Sequence, residues 1–143
     1  MALDEKRAWI TAVVSACGYV VYLVIVLSRA AGDVPLADVA YVAPLLWTVG
    51  AAIVVTIGIG IATGLASPRE AMRTDERDRE IDRFGEYVGH SFVVIGGVAT
   101  LVMAMAETAH FWIANTVYLM FALSAIVGSV ARIFAYRRGF QQW

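Results

Sequence analysis

Four apolar runs of about twenty residues each, parted by short charged or turn-like pieces, constrain this chain more than any other feature. A bilayer core about 30 Å thick needs about 20 consecutive apolar residues of α-helix to cross it. Lipid offers the backbone no hydrogen-bond partners, so continuous runs of this length cross as helices that bond internally. Composition agrees: 60 % of the residues are hydrophobic and mean hydropathy is +0.72, against roughly half apolar for soluble domains. With 143 residues the chain has room for one domain. The expectation is an all-α, polytopic membrane protein, a single domain of four transmembrane helices over residues 8–28, 39–66, 75–106 and 111–133.

The pieces between the runs carry the punctuation. Gly32 and Pro35 break the first connection, and Pro44 falls in the first turns of the second helix, where a missing N–H costs least. Ser67-Pro68-Arg69-Glu70 has the form of a capping box with proline at the first helical position. Thr74-Asp75-Glu76 predicts the next helix start, a hydroxyl cap followed by two acids in the first turn. Nothing then stops the helix before Glu107, which gives about 48 Å of helix, a third of it beyond the bilayer. Gly85 and Gly89 weaken it but stand four apart, as a close helix contact requires. The four-residue turn Glu107-Thr-Ala-His110 makes the last two helices antiparallel neighbours. The first run is too long for a signal-peptide core and lacks a small-residue cleavage site before Arg29, so it reads as a retained helix.

Orientation follows from Lys and Arg near the helix ends. One side collects Lys6, Arg7, Arg69, Arg73, Arg77, Arg79, Arg83, Arg132, Arg137 and Arg138, and the other has Arg29. Both termini and the connection 67–86 are expected in the cytoplasm, with the chain folded as two antiparallel hairpins, N-in and C-in. Trp9 and Trp112 mark interfaces, as do Tyr136 and Trp143.

Small residues recur at four-residue spacing as Ala52, Thr56, Gly60 and Gly64 in the second helix and as Gly96, Thr100 and Ala104 in the third. Such stripes let helix backbones approach closely. One is expected to pack within the monomer and the other, helix 2 with its GxxxG, between the protomers of a homodimer. Cys17 lies alone in the first run as a small packing residue.

The connection 67–86 holds most of the groups able to meet a partner. Its Asp75–Arg79, Glu76–Arg79, Arg79–Asp82, Glu80–Arg83 and Arg83–Glu86 spacings allow self-pairing along an exposed helix. Its basic residues are all arginine, which suits planar contacts to carboxylates or phosphates. Ile81, Phe84 and Val88 add a narrow apolar stripe. Together Arg77, Arg79, Ile81, Arg83 and Phe84 define a docking surface for a cytoplasmic protein, a second protomer or anionic lipid.

Metal chemistry has two candidate sets. Asp82, Glu86 and His90 stack at four-residue spacing, and Glu86 with His90 can share a divalent metal, although a site needs three or four ligands. Glu107-x-x-His110 has the form found in carboxylate-bridged bundles but occurs once, at a turn, with Asp33 and Asp38 on the same side. No metal is required by either. Haem ligation by His90 with His110 is excluded, since about 30 Å of helix separates them. No carboxylate lies mid-membrane as proton-driven carriers need. There is no Ser-His-Asp set, phosphate loop or Cys-x-x-Cys, so nothing reads as an enzyme. A net charge of −1 gives no field for nucleic acid.

The stretch from Thr74 to Gly139 (TDERDREIDRFGEYVGH…HFWIAN…YRRG) resembles small bacterial inner-membrane proteins of uncharacterised function with a D-E-R-D-type charged segment before a membrane helix. The resemblance implies a bacterial plasma-membrane location and carries no activity with it. The leading expectation is a non-enzymatic interaction or regulatory module working through its charged segment. The alternative is a channel, transporter or sensor that binds a small molecule, ion or metal in a polar cavity lined by Tyr19, Tyr22, Asn115, Tyr118 and His90.

Overall fold

The computed structural model of the chain describes residues 3–71 and 75–139, and the backbone alone at residues 70 and 71. The order is α1 (Leu3–Ala30), a 3₁₀ turn (Leu36–Asp38), α2 (Val42–Ala66), the single turn α3 (Pro68–Ala71), α4 (Glu76–Met105) and α5 (His110–Arg138). Helices α1, α2, α4 and α5 are each long and apolar enough to cross a membrane, which makes this a multi-pass membrane protein by length and composition.

Local chemistry sets the helix ends, and several differ from the sequence expectation. Helix α1 starts at Leu3 rather than residue 8, because Asp4 and Glu5 favour the positive end of the helix dipole and Asp4 pairs with Arg7 at 3.6 Å. Helix α5 runs past residue 133 to Arg138, with two arginines in its last turn, and stops at Gly139 with φ 76°. Helix α2 begins at Val42, not residue 39. Pro44 has no N–H to give the carbonyl of Ala40, and the Arg29 Nη1 donates to that carbonyl instead, at 2.7 Å.

The cap of α4 is Asp75, in extended conformation, whose carboxylate accepts the Glu76 N–H at 2.8 Å. Asp78 returns a bond from the Asp75 N–H at 3.4 Å, completing a capping box. Thr74, expected as the cap, lies outside the described residues, as do Arg73 and Trp143. Thirty residues give α4 a length of about 45 Å, well beyond the bilayer core. Its exit bends through Glu107 at φ 54°, with the Thr108 N–H donating back to the Met103 carbonyl at 3.0 Å.

The packing order is α2–α1–α5–α4, with α1 and α5 as the central pair. The closest seam joins α4 to α5 through glycine. A Cβ on Gly89 would sit 2.8 Å from the Ser124 carbonyl oxygen, and one on Gly128 would sit 2.9 Å from the Gly85 carbonyl oxygen. A Cβ on Gly96 would meet that of Met120 at 2.6 Å. Thr100 is half-buried and turns its hydroxyl back to the Gly96 carbonyl, while Ala104 is exposed. The α2 stripe is divided: Ala52 lies 3.8 Å from where a Gly18 Cβ would stand, Gly64 faces the Arg7 guanidinium, Thr56 is half-buried, and a Cβ on Gly60 would meet nothing within 4 Å.

At the end of the helices that carries the 31–41 connection, Tyr22, Val26, Val39 and Phe111 form a buried cluster. Tyr19, Tyr22 and Tyr118 pack there edge to face, with Tyr22 fully buried. The Tyr22 hydroxyl donates to Asn115 Oδ1 at 2.6 Å, and Asn115 Nδ2 donates to the Phe111 carbonyl at 2.7 Å. The Tyr118 hydroxyl donates to Thr48 Oγ1 at 3.1 Å. These bonds meet the demand that polar groups in lipid be satisfied within the protein.

Two neighbouring glycines separate packing from composition. Gly96→Leu should destabilise the fold by about 1–3 kcal/mol, the range for overpacking a filled seam. Gly97→Leu, at a position open for 4 Å around, should leave the thermal midpoint in mild detergent unchanged. Equal effects of the two would mean that the seam is looser than the geometry states.

Candidate functional site

The charged ends of α1, α4 and α5 meet, and contacts between helices set their geometry. One oxygen of Asp78 serves the capping box, and the other accepts from the Tyr136 hydroxyl of α5 at 3.1 Å. One turn on, Asp82 pairs with Arg132 Nε at 3.3 Å, not with Arg79 as helical spacing suggested. Gly85 follows, with Arg132 lying across it closely enough to leave no room for a Cβ. From α1, the largely buried Glu5 pairs with Arg137 Nε at 3.5 Å, and the Arg137 guanidinium lies 5.6 Å from the Trp9 ring centre. Each such pair contributes at most about 1 kcal/mol at a surface, but together they fasten the α4 extension to α5 and α5 to α1.

This changes the docking surface. Ile81 is fully buried on the face shared with Asp78 and Gly85, so it is a packing residue and leaves the apolar stripe. Val88 is half-buried, and Phe84 is 39 % exposed. What faces outward is Arg77, Arg79 and Arg83, with Tyr87 at 77 % exposure. Arg79, Arg83 and Tyr87 stand at i, i+4 and i+8, so they form one ridge.

Neither metal set assembles. Among the described residues no three of His, Cys, Asp and Glu gather as a metal ion would need. Asp82 is turned to Arg132, while Glu86 and His90 are exposed one turn apart. Glu107 and His110 are both exposed at the opposite end of the helices, Glu107 in the turn and His110 opening α5. The expected polar cavity is also divided. Tyr19, Tyr22, Asn115 and Tyr118 come together, but His90 lines a separate cleft.

That cleft, of about 560 Å³, opens between α1, α4 and α5 at the charged end. Thr11, Arg83, Glu86, His90, Ser124 and Arg132 line it, over a floor that includes Gly85, Gly89 and Gly128. Ser129, 1 % exposed, also borders it, and its Oγ has no hydrogen-bond partner. Sequence reasoning passed over Ser124 and Ser129. The usable signal was Ser124 and Ser129 in an apolar stretch of that helix, about two turns and one turn before Arg132.

The chain matches no family model, no curated protein and no solved structure.

The Asp78–Tyr136 bond can be isolated by a double-mutant cycle. Tyr136→Phe should cost about 1 kcal/mol in the parent chain and close to nothing in an Asp78→Ala background. Thermal or denaturant midpoints of the four proteins in one detergent give the comparison, and identical costs in both backgrounds would dissolve the link between α4 and α5.

Proposed function

We propose that this chain is a non-enzymatic interaction module of a bacterial plasma membrane. In this reading the four spans form two antiparallel hairpins, with both termini and the 67–86 connection in the cytoplasm, and the α4 extension displays a ridge to an acidic protein partner. The observation that carries it is the fastening of that extension by Asp78–Tyr136, Asp82–Arg132 and the buried Ile81. A helix held along α5 presents Arg79, Arg83 and Tyr87 in fixed register. A partner then loses less entropy in ordering the surface it meets. Arginine with an exposed aromatic is the composition of interface anchors, and ten of eleven cationic side chains on one side supply the orientation.

Two steps test the reading. A cysteine at Arg138, in a Cys17→Ser background, should react with a membrane-impermeant thiol reagent only after the cells are opened. A photo-crosslinking residue at Tyr87 should then give a discrete protein adduct in cells, lost on Arg79→Glu with Arg83→Glu while the thermal midpoint holds. Labelling of the cysteine in sealed cells refutes the orientation. Adducts to lipid alone, or an adduct indifferent to charge reversal, refutes the docking ridge.

Self-association belongs to the same proposal, through the middle of the α2 stripe. Gly60 has open space where a partner helix would lie, while Ala52 and Gly64 are already used against α1. Gly60→Leu should therefore lower the mass of the particle in lipid nanodiscs from dimer to monomer with stability unchanged. A wild-type chain that is monomeric in nanodiscs removes the homodimer.

A further inference from the structure

We propose that the cleft between α1, α4 and α5 holds the headgroup of an anionic phospholipid, with the acyl chains lying in two apolar grooves that lead from it.

The headgroup end rests on unmet donors. Ser129 is buried to 1 % exposure, and its hydroxyl has no partner. Arg132 Nε is also buried without a hydrogen bond. It lies 3.3 Å from Asp82 Oδ1, close enough for an ion pair, but its N–H is not aimed at that oxygen. The two residues are three apart on α5 and so share a helix face. An Nε–H can only donate, and a serine hydroxyl donates readily, so the group that satisfies both is an oxygen acceptor rather than a cation. Buried donors left unpaired cost about 1–3 kcal/mol each, which a ligand oxygen would recover.

The charges on the lining point the same way. Arg83 and Arg132 line the cleft against one carboxylate, Glu86, while Asp82 offsets part of the Arg132 charge from outside the lining. Arg132 stands more than one turn before the end of α5, where the negative end of the helix dipole no longer dominates. Guanidinium with hydroxyl donors is the chemistry that holds phosphate oxygens.

The ligand is placed as a lipid by what adjoins the cleft. Ala125 of α5 borders both the polar cleft and an apolar groove of about 370 Å³ between α1, α2 and α5. Val93 of α4 borders both the cleft and a second apolar groove of about 240 Å³ between α4 and α5. Phe121 lines both grooves. On α1, Thr11 lines the cleft, and Ser15 and Gly18 line the first groove, all within one helix face at i, i+4 and i+7. One polar chamber with two apolar channels leading off it matches a phosphate headgroup with two chains. A free phosphate would use the chamber and leave both channels empty. Arg83 and Tyr87 of the proposed ridge also border this cleft, and the lipid assignment rests instead on Ser129 and Arg132 of α5.

The test is native mass spectrometry of the full chain in mild detergent. It is titrated with phosphatidylglycerol, with phosphatidylcholine of the same chains, and with inorganic phosphate. Phosphatidylglycerol should bind one per chain and about tenfold more tightly than phosphatidylcholine, equivalent to about 1.4 kcal/mol. Ser129→Ala, a small change that leaves the seam intact, should weaken phosphatidylglycerol several-fold and leave phosphatidylcholine unaffected. Ala125→Phe, which narrows the junction of chamber and groove, should weaken both lipids. Equal retention of the two lipids by wild type overturns the proposal. So does a Ser129→Ala chain that keeps full preference for phosphatidylglycerol. Inorganic phosphate that displaces phosphatidylglycerol at equal concentration also overturns the lipid assignment, and gives the chamber to a soluble anion.

Discussion

The approach of two backbones at Gly85, Gly89 and Gly128 is the contact on which the charged end depends. Lipid tails are as apolar as leucine, so helices in a membrane gain little from burying apolar surface against each other and associate through close packing. The α4–α5 seam has that closeness, with carbonyls lying where a Cβ would otherwise stand. Because the backbones are near, aspartates on α4 can meet partners on α5 one and two turns further out. Asp78 reaches Tyr136, and Asp82 reaches Arg132. A seam wider by the size of a methyl group would put both pairs out of reach and expose Ile81.

This is why the helices were legible in the sequence and their ends were not. Hydropathy marks the runs able to cross lipid, and all four became helices long enough to do so. It does not report where a helix stops. Residues 3 to 7 are polar, yet they continue α1 because Asp4 and Glu5 suit its first turn and Glu5 meets Arg137. Those two are 132 residues apart, and no local pattern announces the pair. Helix α2 errs in the other direction. Pro44 is tolerated in the first turn of the helix, but a tolerated proline also decides which carbonyl goes unpaired. Arg29, across the connection, supplies the missing donor.

The same limit governs the candidate sites. Helical spacing placed Asp82 with Arg79, with Glu86 and with His90 at once, since all stand on neighbouring turns. Geometry between helices chose none of these and gave Asp82 to Arg132. Spacing along one helix enumerates partners, whereas the distance to the next helix selects among them. Tyr22 makes the same point from the satisfied side. A hydroxyl that deep in an apolar helix needs an acceptor, but Asn115 is 93 residues from Tyr22 in the chain. Composition announced the demand, and only the fold could show how it was met.

The glycines that draw α4 onto α5 also account for the recess beside the seam. A residue without a side chain brings backbones together at one azimuth and fills nothing at the next, so close contact and vacant volume arise from the same positions. Gly85, Gly89 and Gly128 line the cleft as well as the seam. In a soluble protein water would occupy such a recess and serve its buried donors. At the edge of a bilayer the neighbouring molecules are lipids, which bring an oxygen-rich end and an apolar end in fixed order. The recess has the same order, donors toward the charged ends of the helices and apolar channels toward their middle. Filling it would restore packing density to the face of the bundle that the glycines leave thin, and would steady α4 beside Arg83 and Tyr87.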